Sequence, residues 1–110
     1  MNTSTNSFDS IEQIIYENKL RITSIDFHKE LNMMLVILNS GIVLQKWIYN
    51  YPLLKTASEN QLKNFRFIGG GTGVHWPDLD EDLSLKTFLV DEFKRQVIGN
   101  PTNNTYAMGA

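Results

Sequence analysis

Residues 21–49, RITSIDFHKELNMMLVILNSGIVLQKWIY, decide the fold, because they read as three strands separated by two short polar turns. Thr23, Ile25 and Phe27 alternate with Ile22, Ser24 and Asp26, the period of two that a half-buried strand requires. His28 to Asn32 supplies a turn, and Met33 to Leu38 follows as an unbroken apolar run. A run without polar alternation belongs in the middle of a sheet, where both faces are covered. Asn39-Ser40-Gly41 is the next turn, and Ile42 to Tyr49 the third strand. Connections this short place neighbouring strands antiparallel, so the unit is a three-stranded meander.

The flanks read as helices and shorter strands. Ser10 with Gln13 has capping-box spacing and opens a helix over about 11–19, with Ile11, Ile14, Ile15 and Asn18 on one side. Beyond the meander, Thr56-Ala57-Ser58-Glu59 has the same spacing and starts a short helix that turns Leu62 and Phe65 inward. Phe65 to Ile68 leads into the cluster Gly69-Gly70-Gly71-Thr72-Gly73, and Val74-His75-Trp76 is a brief strand ended by Pro77. Ser84 caps a last helix whose Leu85, Phe88, Leu89, Phe93 and Val97 keep helical spacing until Gly99 and Pro101. The expected fold class is α+β: a small antiparallel sheet, a three-stranded meander plus short strands, packed with two or three helices. It forms a single domain over 10–99 between tails 1–9 and 100–110.

The balance of charge narrows the function. The chain has 110 residues, with ten Lys and Arg against twelve Asp and Glu, so its formal net charge is −2. No cationic excess is available to neutralise nucleic-acid phosphates or anionic lipid, which makes nucleic acid an unexpected partner and a DNA-contacting regulator the weaker alternative. Without cysteine there is no disulfide, thiolate zinc site or cysteine nucleophile. The longest apolar run is far short of the ~20 residues of a spanning helix, and the polar residues 1–7 do not resemble a signal peptide. A cytoplasmic location without membrane contact is the expectation.

Two segments carry candidate chemistry. Gly69 to Gly73 fails the P-loop pattern, since no Lys-Ser or Lys-Thr pair follows, and it fails the dinucleotide pattern because its last glycine is missing. It reads as a turn requiring positive φ, with Gly69, Gly70, Gly71, Gly73, Pro77 and Ser84 as structural corner residues. Asp78-Leu79-Asp80-Glu81-Asp82 places four carboxylates within five residues. As an EF-hand it lacks the central glycine and the closing glutamate, where Leu83 and Leu89 stand. It fits a helix N-terminus, where the macrodipole favours negative charge, or a contact for a basic protein. No metal, cofactor or catalytic residue is expected. His75 has no nucleophile near it in the sequence and shares no ligand spacing with His28. Trp47, Tyr49 and Tyr51 alternate with few basic residues, which suits the edge of a core or a protein interface better than base stacking.

The stretch Tyr51-Pro52-Leu53-Leu54-Lys55-Thr56-Ala57, followed by Phe65-x-Phe67-Ile68-Gly69-Gly70-Gly71-Thr72-Gly73-Val74-His75-Trp76-Pro77-Asp78-Leu79-Asp80-Glu81-Asp82-Leu83-Ser84, resembles the small bacterial proteins of domain-of-unknown-function family 2442. With the strands from Ile22, the likeness runs to about Leu89. It implies a compact α+β domain, no established enzymatic activity, and a frequent place beside another small protein in toxin-antitoxin-like gene pairs. The chain departs from the family pattern at both ends, with a helix added before Ile22 and an extension over Val90 to Ile98. Taken together, the leading expectation is a non-enzymatic interaction module, antitoxin-like or an accessory subunit. It would bind a basic, toxin-like protein through Asp78, Asp80, Glu81 and Asp82 with His75 and Trp76, and a homodimer through strand edges is left open. The alternative is a ligand-binding or enzymatic domain in which His75 converges with one of those carboxylates in a concave site.

Overall fold

A computed structural model describes residues 7–99, and the tails 1–6 and 100–110, with Pro101, lie outside the described residues. The fold is α+β, with two three-stranded antiparallel sheets and four α-helices among those residues. The first sheet is the meander read from the sequence: β1 (Ile22–His28), β2 (Met33–Leu38) and β3 (Val43–Trp47), with β2 in the middle. Met34, Val36 and Leu38 of β2 are buried, while Met33, Leu35 and Ile37 on its other face are half-covered. The turn before β2 is held by Asn32 in the left-handed region, whose carbonyl and side-chain oxygens accept from the Ile48 and Tyr49 amides. β3 stops at Trp47, two residues earlier than expected at its C-terminal side, because Ile48–Asn50 wind into a 3-10 turn.

The alternation in β1 is broken by a bulge. Ile22 pairs with Leu38 and Ser24 with Ile37, so Thr23 is the extra residue, its hydroxyl donating to the Ile37 carbonyl. One inserted residue flips the face of everything before it. Ile22 and Ile25 are therefore both buried, against the strict alternation of the sequence pattern.

Four helices frame the sheets: α1 (Ser7–Asn18), α2 (Pro52–Lys55), α3 (Glu59–Lys63) and α4 (Leu85–Ile98). α1 already includes Ser7, so Ser10 lies inside the helix and is not its cap. Its exit is a Schellman turn: Lys19 takes φ 51°, its amide donates to the Tyr16 carbonyl and Leu20 donates to that of Ile15. Asn39 then clamps that exit to the sheet, its side chain bonding the Lys19 carbonyl and the Arg21 amide. Ile15 faces the core and Ile11 is half-buried, but Ile14 is 50% exposed, so the inward stripe is narrower than its spacing suggested. The cap of α3 is Ser58 rather than Thr56, with Gln61 completing the box in both directions.

Ser84 caps α4, as expected from the sequence, and the Thr87 amide donates to Ser84 Oγ at 3.0 Å. It packs beside α1, to which Lys86 and Glu12 add an ion pair at 3.2 Å. Leu85 and Phe88 are fully buried, while Phe93 and Val97 are 57% and 67% exposed. The expected apolar stripe is thus covered only along the first half of the helix.

Candidate functional site

The second sheet carries the residues singled out in the sequence. It runs β4 (Arg66–Ile68), β5 (Gly73–Trp76) and β6 (Glu81–Ser84), with β5 central. The acidic segment was expected at a helix N-terminus; instead its second half is strand β6, and Trp76 opposite Glu81 closes a hairpin over Pro77–Asp80. Asp80 supplies the positive φ of that loop, a conformation Asp tolerates better than most residues. Ser84 alone caps α4, and Asp82 turns to the sheet.

Directly opposed residues on neighbouring strands share a face. Arg66, His75 and Asp82 consequently form one row across the outer face, and Ile68, Gly73 and Ser84 a second. His75 Nδ1 meets Asp82 Oδ1 at 2.5 Å, and since an ionised carboxylate only accepts, Nδ1 carries the proton. Gly73 has no Cβ because one would stand 3.0 Å from Ile68 Cγ1, which lies across the strand. On the inner face Val74 and Trp76 are completely buried.

Trp76 is where the structure corrects the expected contact surface most. It is 0% exposed, with its indole N–H donating to the Leu62 carbonyl at 2.9 Å and its ring set edge-on to Phe27 at 6.5 Å. It anchors the second sheet to α3 and to the first sheet, and cannot face a partner. The remaining residues are at the surface. Asp78, Asp80 and Asp82 are exposed, and Glu81 and His75 half-exposed. Asp78 accepts from the Asn64 side-chain amide, and Glu81 accepts from the Asp82 backbone amide. Among the described residues none of these four carboxylates pairs with a Lys or Arg, and no three metal-ligating side chains come together.

The glycine corner is a turn over Gly69 to Gly71, whereas Gly73, read as part of it, is the first residue of β5. Gly69, Gly70 and Gly71 all have positive φ in a 3-10 turn, and Gly71 abuts β1, where a Cβ would lie 2.7 Å from the Ile22 carbonyl oxygen. A shallow depression beside it, bordered by Gly69, Thr72, Asp82 and Thr87, does not include His75.

A second feature went unnoticed in the sequence. A cleft of about 360 Å³ opens between the first sheet and the last turns of α4. Gln45, Trp47, Asn50 and Tyr51 form one wall, and Asp91, Lys94, Arg95 and Ile98 the other, at the i, i+3, i+4, i+7 spacing of one helix face. Lys46 reaches its floor from an inward-facing position of β3 and is only 5% exposed. Its ammonium donates to the Phe88 carbonyl at 2.8 Å and lies 3.4 Å from Glu92. Burial pulls the Lys46 pKa down, with Glu92 opposing it. Burial, then the Asp91 charge, pushes the Tyr51 phenol well above its usual range, and its hydroxyl donates to Asp91 at 3.2 Å. The signal in the sequence was a lysine between Leu44 and Ile48, at the inward phase of a strand.

Glu92 holds this wall together. Hydrogen bonding from Arg95 is the main force lowering its carboxyl from 4.5 to about 2, with Gln96 and Lys46 adding to it against the cost of burial. A folded value below the unfolded one stabilises fully above pH 4.5 and loses that stability as pH falls toward 2. Glu92→Gln should therefore cost about 1–2 kcal/mol at neutral pH, less than the whole shift because Arg95 is solvent-screened, and almost nothing at about pH 2. Urea unfolding of both proteins across that range measures it; a cost independent of pH would show that charge is not what Glu92 contributes.

Related folds are known. A protein of unknown function from Rhodospirillum rubrum, solved by crystallography, is 28% identical with a TM-score of 0.58, the match covering 66% of this chain and 87% of that one. An uncharacterized protein from Chromobacterium violaceum, solved by NMR, shares the fold at 24% identity and a TM-score of 0.59, over 81% of this chain and 84% of that one. No curated protein matches the chain significantly. Among the described residues no helix is long and apolar enough to cross a membrane. The family model described as protein of unknown function (DUF2442) matches residues 22–93, which hold both sheets and the first half of α4, and the chain belongs to that family.

Proposed function

We propose that this chain is a non-enzymatic protein-interaction module, an antitoxin-like or accessory subunit of a small bacterial complex, that docks a basic partner surface on its acidic hairpin. One observation carries the reading. Four carboxylates stand on a β-hairpin anchored by a buried tryptophan, with no Lys or Arg paired to any of them among the described residues. Unneutralised like charges on a fixed frame repel one another, and a complementary basic surface relieves that repulsion while steering association.

The test uses substitutions that remove charge and keep every hydrogen bond. Asp78→Asn still accepts from Asn64, Glu81→Gln still accepts from the Asp82 amide, and Asn tolerates the left-handed φ of Asp80. The triple variant should fold with unchanged or slightly higher stability, since it only lowers repulsion. Against the purified product of the neighbouring gene it should bind about tenfold more weakly or worse in calorimetry, with a flatter salt dependence. No complex with that product, or an affinity indifferent to the three substitutions, would remove the proposal.

The His75–Asp82 pair favours a second reading, in which His75 acts as a general base oriented by Asp82. Among the described residues no hydroxyl or other nucleophile bonds the imidazole, and the pair lies on an open strand row. Saturable binding of a small molecule that shifts the His75 ring resonances and disappears in Asp82→Asn would favour it over the docking role.

A further inference from the structure

We propose that the cleft between β3 and the end of α4 binds a small planar aromatic molecule carrying one negative charge. Its size falls within the ~300–1,000 Å³ typical of ligand sites, and it combines apolar walls with a few fixed polar groups, the usual construction of such a site. Trp47 is half-buried along one wall, so a flat ring can stack on the indole at little cost in ordering. Gln45 and Asn50 on the same wall are exposed amides able to hydrogen-bond ring substituents.

Charge selects the anion. Lys46 and Arg95 share the Glu92 carboxylate, and Asp91 accepts from the Tyr51 hydroxyl. Lys94 forms no ion pair among the described residues, so three cations face two carboxylates and one positive charge is left unmatched at the mouth. The floor is a different matter: the Lys46 ammonium is already engaged by the Phe88 carbonyl and Glu92, and serves to hold the helix wall against the sheet. Lys94, Arg95 and Ile98 follow the region matched by the family model, which ends at residue 93. The site therefore combines one wall of family sheet with a helix wall of which Asp91 lies within the matched region and Lys94, Arg95 and Ile98 beyond it, and it does not depend on the acidic hairpin.

The two tryptophans make the test self-controlled. 2-Naphthoate and the neutral 2-naphthalenemethanol are titrated into the full chain while both indole N–H signals and the backbone amides are followed by NMR. Naphthoate should move the Trp47 indole and amides 91–98 saturably with a Kd of about 1 mM or tighter, leaving the buried Trp76 indole still. Lys94→Ala, at an exposed position, should weaken naphthoate by about threefold or more and leave the alcohol unchanged. Trp47→Ala should abolish both. No saturation by about 5 mM, equal affinity for the alcohol, or an unaltered Lys94→Ala titration would overturn the assignment.

Discussion

Trp76→Ala should destabilise the domain by about 3–5 kcal/mol, enough to leave much of the population unfolded in a domain of ordinary stability. Three contributions add. The indole is fully buried and touches the rings of Phe27 and Phe65, so truncation opens a cavity where the two sheets meet α3. The aromatic contacts contribute beyond their buried area. The Leu62 carbonyl also loses its indole donor. Trp76→Phe separates these effects, since it keeps a ring in place but leaves that carbonyl unpaired, and should cost about 1–2 kcal/mol plus the smaller packing loss. Chemical denaturation of the three proteins gives the values. A Trp76→Ala cost below about 1 kcal/mol would mean that the residue is at the surface, as the expected partner contact required.

Gly71→Ala should cost about 3 kcal/mol or more, whereas Gly41→Ala should cost only about 1 kcal/mol. Both glycines have strongly positive φ, 108° and 93°, and both substitutions meet the same kind of backbone strain. Their surroundings differ. Nothing lies within 4 Å of a Cβ at Gly41, but at Gly71 it would sit 2.7 Å from the Ile22 carbonyl oxygen and 3.1 Å from Arg21 Cβ. The obstacle is the backbone of β1 at its bulge, which cannot yield without disturbing the pairing with β2. The difference between the two costs therefore measures how tightly the glycine corner is pressed against the first sheet. Equal costs would show that the corner stands away from β1.

What could be read from the sequence followed the range of the interaction that fixes each element. Met33–Leu38 was legible because six consecutive apolar residues report two covered faces without reference to any partner. Ser84 was legible because a cap is settled within one turn of chain. The bulge at Thr23 was not, since an extra residue in one strand is defined only against the register of the next. Strand β6 was hidden for the same reason: Glu-Asp-Leu-Ser has weak strand preference, and it becomes a strand by pairing with β5. Once it does, Asp82 swings from the helix end to His75, and the carboxylates take their places around a hairpin.

The same distinction separates the candidate sites. Local spacing drew attention to the acidic run and to His75, and the structure does bring His75 and Asp82 together. It also placed Trp76 with them, although the alternation along β5 turns Trp76 the opposite way from His75. The cleft depended on contacts from Lys46 to Phe88 and Glu92, and from Tyr51 to Asp91, each spanning about forty positions of chain. No local pattern carries such a pairing. The only local trace was a lysine at an inward strand position, an uncommon residue to bury without a partner.

The docking role rests on residues 81–84 being a strand that sets Asp82 outward opposite His75, turns Trp76 inward and closes the loop that carries Asp78 and Asp80. Proton NMR of the full chain tests that placement directly, through cross-strand contacts and amide exchange. Close contacts between Val74 and Leu83 and between Trp76 and Glu81 are expected, with slowly exchanging amides along β5 and a Trp76 indole proton protected from solvent. Sequential helical contacts through Asp80–Ser84, or a freely exchanging Trp76 indole, would contradict it.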